Sequence, residues 1–125
     1  MSTYGTGLTE GGNLVANSDL SAKQFRAVKQ TSTPRAVDLA STGGEAITGI
    51  LQNTPTAGEA VEVTFAGYTK ALAGTGGWTA GQQLQTEAST GALIVKTSTN
   101  AVVAVAVETN AAGEIGLVRV VPTAG

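Results

Sequence analysis

The side chains of this chain that could do acid–base or metal chemistry are carboxylates, because the sequence contains no cysteine and no histidine. A protein without those residues lacks a thiol nucleophile, nitrogen and sulfur ligands for zinc, and an imidazole general base. Two carboxylates, Glu59 and Glu114, each follow an Ala-Gly dipeptide. They could form an acid pair or a hard-cation site, or each could cap the amides of its own turn. Capping is the favoured interpretation, because the nine acidic residues are spread along the chain.

A glycine motif near the N-terminus, Gly5-Thr6-Gly7, is similar to the start of a dinucleotide-binding loop. The fingerprint needs a third glycine where this chain has Glu10, and no predicted strand precedes the motif. We therefore interpret the motif as part of a flexible arm. With no catalytic group in a recognisable pattern, the sequence predicts a protein that is not an enzyme and needs no cofactor or metal.

The positions of Glu59 and Glu114 belong to a longer repeat. Residues 45–67 (EAITGILQNTPTAGEAVEVTFAG) return 55 positions later, without a gap, as residues 100–122 (NAVVAVAVETNAAGEIGLVRVVP). Each copy has an apolar run, a polar turn ending in Ala-Gly-Glu and a second apolar run. Since glycine adopts positive φ without steric cost, the Ala-Gly pairs indicate chain reversals. The copies are predicted to form equivalent strand–loop–strand units, and coincidence in an Ala-, Gly-, Thr- and Val-rich chain is the alternative.

Strand signals continue outside the repeat. Val61, Val63 and Phe65 alternate with residues of the other face, as a strand requires. Comparable short runs recur at intervals of about 8–12 residues, which is typical of all-β sandwiches and barrels. The predicted fold is all-β: a small β-barrel or β-sandwich, with a β-tulip-like arrangement among the possibilities. Residues 23–125 are predicted to form this single β-domain.

Residues 1–22 are predicted to form an extended N-terminal arm, because they are rich in Gly, Ser and Thr and carry few large apolar side chains. Such a segment gains little from folding by itself, so we expect a partner to order it. Deleting residues 1–18 is expected to remove few core contacts. The arm side chains expected to contact this partner are Tyr4, Leu8, Leu14 and Val15.

Two further features are candidates for the same interface. A basic cluster precedes Asp38, and it could dock on an acidic surface or form a solvated strand face; its members are Lys23, Arg26, Lys29 and Arg35. Trp78 follows three glycines within four residues. It could close the end of a barrel or anchor an interface, where tryptophan is enriched.

Charge and hydropathy limit the possible partners. The net charge is −2, and no basic stripe with interleaved aromatic residues suggests direct binding of nucleic acid. The longest apolar run, residues 101–107, is too short to span a bilayer, and the N-terminus lacks the order of a signal peptide. We therefore expect a chain made in a cytoplasm, with no membrane partner.

Several segments resemble the cement or head decoration proteins of tailed phages. The resemblance covers about residues 19–121, and it is carried by residues 19–29 (DLSAKQFRAVK), 46–53 (AITGILQN) and 57–63 (AGEAVEV), with Pro55, Gly67, Ala80-Gly81 and residues 112–115. It implies a small β-rich protein that binds the outside of an expanded icosahedral head, commonly as trimers, and braces it against internal DNA pressure. The family has no catalytic residues to transfer.

The resemblance implies definite partners and a definite location. The major capsid protein is the expected partner and a homotrimer the expected assembly, on the outer capsid surface of a virion made in the host bacterial cytoplasm. The alternative is a β-rich surface- or carbohydrate-binding module of a virion fibre or adhesin. Such a module usually exposes a cluster of aromatic side chains, whereas three of the five aromatic residues here lie in predicted strands.

Overall fold

The computed structural model describes residues 8–97 and 99–121, and these residues form strands, turns and loops without a helix. The all-β prediction is confirmed. Short runs of β-branched and apolar residues, bounded by glycine-containing turns, account for this architecture. The strands are β1 (Leu8–Ala16), β2 (Ala27–Gln30), β3 (Ala36–Leu39), β4 (Gly49–Leu51), β5 (Ala60–Leu72), β6 (Gln83–Thr86), β7 (Leu93–Val95), β8 (Ala104–Ala106) and β9 (Ile115–Val120).

The first five strands close a barrel in the order β1-β3-β2-β4-β5, and β1 returns to pair with β5. β1 is parallel to β3 and antiparallel to β5, so it closes the ring. Closure removes open sheet edges. Of the predicted alternatives, the structure is therefore the barrel, with additional strands. Its core consists of Ala16, Leu20, Val28, Val37, Leu51, Val61 and Val63, with Leu14 and Leu39 packed against them.

β5 continues from the barrel into a second sheet. Its pairing with β1 and β4 ends by Ala66, and its pairing with β9 begins at Gly67, whose φ of 88° few other residues tolerate. The second sheet runs β5-β9-β8-β6-β7, and a parallel bridge between Ala73 and Leu93 brings β7 back to the end of β5. This sheet encloses a second core that includes Trp78, Leu84, Val103 and Val118.

The predicted repeat is present in the strand register. In the first copy, β4 pairs with β5 through Ile50 and Thr64. In the second, β8 pairs with β9 through Val105 and Arg119, and both residues lie 55 positions later. The two hairpins are therefore equivalent residue by residue, and the prediction of equivalent strand–loop–strand units is confirmed.

The duplication extends beyond the repeat that is visible in the sequence. Val28 pairs with Leu39 between β2 and β3, and residues 56 positions later, Leu84 and Val95, pair between β6 and β7. The parallel contact between β1 and β3 likewise returns as the Ala73–Leu93 bridge. The molecule is thus two copies of one unit joined through β5. We call residues 8–66 the first half and residues 67–121 the second half.

The predicted boundary between an arm and a domain at residue 22 is not a boundary in the structure. Residues 8–16 of the expected arm are β1, and both Ala16 and Leu20 are buried in the first core. The Ser18 hydroxyl donates to the Asp38 carboxylate at 2.8 Å, which ties the chain after β1 to β3. The expectation that residues 1–18 contribute few core contacts is therefore wrong for the described part of this segment, residues 8–18.

Candidate interaction surfaces

The Glu59 and Glu114 carboxylates each accept a hydrogen bond from an amide of their own turn. The Oε1 atom of Glu59 accepts the Thr56 amide at 2.7 Å, and Oε1 of Glu114 accepts the Ala111 amide at 2.7 Å. The Thr56 amide lowers the pKa of the Glu59 carboxyl below its usual value. Within the described residues no group of three or more acidic side chains could hold a metal ion. Of the interpretations open from the sequence, the geometry matches capping.

The third Ala-Gly turn has the same construction. Gln82 Oε1 accepts the Thr79 amide at 2.7 Å, and Gly81 has a φ of 90°. In the two hairpin turns Gly58 and Gly113 have φ values of 84° and 86°. A polar side chain one residue after a left-handed glycine therefore satisfies an amide that the turn would otherwise leave unpaired.

The Glu87 carboxylate connects two loops of the chain by hydrogen bonds. Its Oε2 accepts the Thr75 amide at 3.0 Å and its Oε1 accepts the Thr90 hydroxyl at 2.7 Å. Hydrogen bonds from Thr75, and then from Thr90, hold the pKa of this carboxyl below its ordinary value of 4.5, against a smaller opposing effect of burial.

Glu87→Gln should therefore lower the thermal midpoint at neutral pH. Because the folded-state pKa is depressed, the ionised carboxylate stabilises the fold fully above the unfolded-state pKa of about 4.5 and loses that effect as pH falls through the folded-state value. Calorimetry of both proteins between pH 7 and pH 3 should show the difference in midpoint narrowing in the acid range. A difference that stays constant across this range would contradict the assignment.

Three members of the basic cluster make contacts with other parts of the chain. Arg26 donates through Nη1 to the Thr90 carbonyl at 3.0 Å. Lys29 lies 3.5 Å from the Glu45 carboxylate, and Arg35 donates through Nε to the Asn13 carbonyl at 3.3 Å. The fourth member, Lys23, is half-buried. These partners lie on separate segments, so the contacts described do not gather the cluster into one docking surface.

The candidate side chains of the N-terminal segment divide between core and surface. Leu14 packs against the first core, and Val15 is half-buried beside it. Leu8 is exposed at the start of β1, where it pairs with Ala66 of β5. Tyr4 lies outside the described residues. Of the described candidates in this segment, Leu8 is the one with an exposed apolar side chain.

Trp78 is placed inside the second half. Its side chain is 3% exposed, and its Nε1 donates to Asn110 Oδ1 at 3.0 Å. The main chain at the same point pairs with Asn110 in both directions. Trp78 is therefore a buried residue of the second core, and its side chain presents almost no surface to a partner.

Sequence reasoning missed an exposed apolar surface on the second sheet. On β9, Gly116, Val118 and Val120 are buried, so Ile115, Leu117 and Arg119 lie on the opposite, outer side. We call this surface the β9 face; its apolar members are Tyr68, Leu72, Val105, Val107, Ile115 and Leu117, and Lys70 and Arg119 lie among them. The signal was available in the sequence, because Ile115 and Leu117 are apolar at positions that alternate with a buried series.

Comparisons with known proteins support the fold. No described segment is a helix that could cross a membrane. No protein-family model matches the chain, and no curated protein sequence is significantly similar to it. A solved structure does match, the N base of the head fiber gp8.5 of bacteriophage phi29, with 14% sequence identity and a TM-score of 0.69. The match covers 90% of this chain and 94% of that chain, so the two share their fold across almost their full lengths.

Proposed function

We propose that this chain is a non-enzymatic structural protein of a tailed-phage virion, and that it binds the outer surface of the head and stabilises the mature capsid. The observation that carries this proposal is the fold shared with a phage head fibre base over 90% of the chain. The carboxylates support it too, because those described above are used in turns and none belongs to a metal-binding group in the described ranges. The sequence resemblance to head decoration proteins points to the same class.

Such a protein would stabilise a capsid by adding contact area between capsid subunits. Each subunit contacts neighbouring copies of the major capsid protein, and a homotrimer multiplies these contacts. Since icosahedral symmetry repeats every interface many times, modest single contacts add up to a large stabilisation of the shell. A duplicated β-fold with two cores suits this role, because it offers a rigid body that need not change shape to bind. The expected location is the outer capsid surface of a virion assembled in the bacterial cytoplasm.

Binding to heads is the direct test. The purified chain should co-sediment with mature, expanded heads of the phage that encodes it, at a fixed ratio to the major capsid protein, and not with precursor shells. The reason is that expansion creates the surface that a cement protein bridges. Bound heads should also withstand heating or osmotic shock better than bare heads. Failure to bind either particle would contradict the proposed function, and equal binding to both would remove its dependence on expansion.

A second candidate function is favoured by the particular protein that this fold matches. The matched structure is the base of a fibre, so this chain could instead form part of a virion fibre, with a surface- or carbohydrate-binding role. Two aromatic side chains, Phe65 and Tyr68, are exposed on β5. Binding of the isolated chain to host cell walls or glycans, without heads present, would favour this second function over the first.

A further inference from the structure

The β9 face is an apolar surface that the described part of the chain leaves exposed. It contains three of the five large hydrophobic side chains described as exposed: Tyr68 (41%), Val107 (42%) and Ile115 (48%). Strand pairing places them on one side of the sheet, because Arg119 lies opposite both Tyr68 on β5 and Val105 on β8, and the Val107 amide donates to the Leu117 carbonyl. The face is therefore continuous across three strands.

The first half shows that the fold does not require apolar residues at these positions. Because the two hairpins are in the same register with a shift of 55 residues, Val107, Ile115 and Leu117 correspond to positions 52, 60 and 62. Those positions carry Gln52, Ala60 and Glu62. The same backbone thus accepts polar and small residues, and the large apolar ones in the second half need another explanation.

The first half also shows what covers such a surface. Ile47 and Ile50 point out of the barrel and belong to the core of the second half, where they pack with residues such as Leu84 and Val118. Their counterparts in the second half, again 55 positions later, are Val102 and Val105. Both are apolar and half-buried. In the first half the equivalent surface is covered by a second unit of the same fold, and this observation points to another copy of the unit as the occupant of the β9 face.

The face also differs from its buried counterpart in charge. Thr64 is buried, whereas its counterpart Arg119 is exposed between Tyr68 and Val105. Ala40 is likewise buried, and the residue at the equivalent place is Lys96. Arginine and tyrosine are both enriched at interfaces between proteins. The chain as a whole is acidic, with exposed carboxylates such as Glu62, so a second copy supplies charges opposite to Arg119.

We propose that the β9 face is the contact surface between copies of this chain, and that its occupant is a second copy. The proposal deepens the proposed function, because it assigns residues to the contact within a homotrimer, and it rests on that function for the expectation of an assembly on the head. In a closed ring of three, each copy contributes its β9 face to one interface, so one set of substitutions acts on every interface at once.

The test replaces the face with residues that the fold already accepts. The triple variant Val107→Gln, Ile115→Ala and Leu117→Glu introduces the first-half residues at the equivalent positions. Sedimentation velocity without heads should show the wild-type protein assembling with concentration. Assembly of the variant should be weaker by about 100-fold or more, since loss of each buried apolar side chain costs roughly tenfold in affinity. Circular dichroism should show that the variant keeps its β structure.

Two single variants keep the test decisive if the triple variant does not fold. Ile115→Ala should weaken assembly by about tenfold. Phe65→Ala removes an exposed side chain of β5 that lies outside the face, and it should leave assembly unchanged. The proposal is overturned if the wild-type protein stays monomeric up to about 1 mM, if Ile115→Ala has no effect, or if Phe65→Ala weakens assembly equally. Because these measurements use no heads, failure here is distinct from failure of head binding.

Discussion

A chain that begins at Ser18 should not fold. Its truncation removes β1, which is the strand that closes the barrel between β3 and β5. Two main-chain hydrogen bonds that would be lost run from the Val15 amide to the Arg35 carbonyl and from the Ala16 amide to the Glu59 carbonyl, at 2.8 Å and 2.9 Å. Ala16 and Leu14 would also leave the first core. The result expected in circular dichroism is loss of the β spectrum, without a cooperative transition on heating or in urea.

The control for this truncation begins at Leu8 and keeps every residue of β1. We expect it to unfold cooperatively, with a midpoint within a few degrees of the full chain. Should the shorter chain, starting at Ser18, also unfold cooperatively near the wild-type midpoint, β1 would be an accessory strand and the barrel would be stable while open. That outcome would restore the expectation, drawn from composition, that this segment binds a partner and does not support folding.

Trp78→Ala should cost about 3–5 kcal/mol in the free energy of unfolding, the usual range for deleting a buried large aromatic side chain. Trp78 is 3% exposed and packs in a core otherwise made of Val, Leu, Ile and Ala, whose short side chains cannot move far enough to fill the cavity. The substitution also leaves the Asn110 side chain without the indole donor. Urea denaturation followed by circular dichroism measures this loss without a tryptophan signal.

Trp78→Phe separates the two parts of this effect. It keeps most of the apolar volume and removes the 3.0 Å hydrogen bond to Asn110, so we expect a smaller cost of about 1–2 kcal/mol. The alanine variant should therefore be clearly less stable than the phenylalanine variant. Equal stability of the two variants, or an alanine variant as stable as the wild type, would show that the second core does not depend on this side chain.

The turn chemistry could be predicted from the sequence because it is local. Glycine favours left-handed φ wherever it occurs, and a following Glu or Gln can reach back to the turn amides, so the Ala-Gly motifs located three turns correctly. The hairpins around Gly58 and Gly113 followed from the same pattern. Alternation along β5 and β9 likewise needs only the two-residue period of a strand. Each of these features depends on residues within a few positions of each other in the sequence. The class of fold followed from them.

The full duplication could not be detected in the sequence, because the two halves carry different residue types at positions where their backbones are equivalent. The counterpart of the Gly81 turn in the first half is centred on Phe25, which has a φ of 66°. The Phe25 amide donates to the Leu51 carbonyl, just as the Gly81 amide donates to Ala106, each at 2.8 Å. A phenylalanine at a left-handed position gives no turn signal, because side chains with a Cβ rarely adopt that conformation. The backbone conformation and these hydrogen bonds show that the two turns are equivalent.

The role of residues 8–22 was decided by tertiary contacts. By composition this segment resembles a flexible arm, since it contains few large apolar side chains and is rich in small and polar residues. Glycine does not prevent a strand from forming when neighbouring strands already offer unpaired amides and carbonyls, and closure of the barrel provides those partners on both sides of β1. The free energy that orders β1 thus comes from residues far away in the chain, and no local pattern contains it.

Sequence and tertiary structure thus determined different properties of this protein. The sequence by itself determined the all-β class, the Ala-Gly turns, the paired hairpins and the lack of thiol or imidazole chemistry, because each depends on residue type and short spacing. The tertiary structure decided that Trp78 is a core residue and that Ile115 and Val107 are exposed neighbours. A strand can bury either face, and which face meets solvent depends on the elements that pack against it.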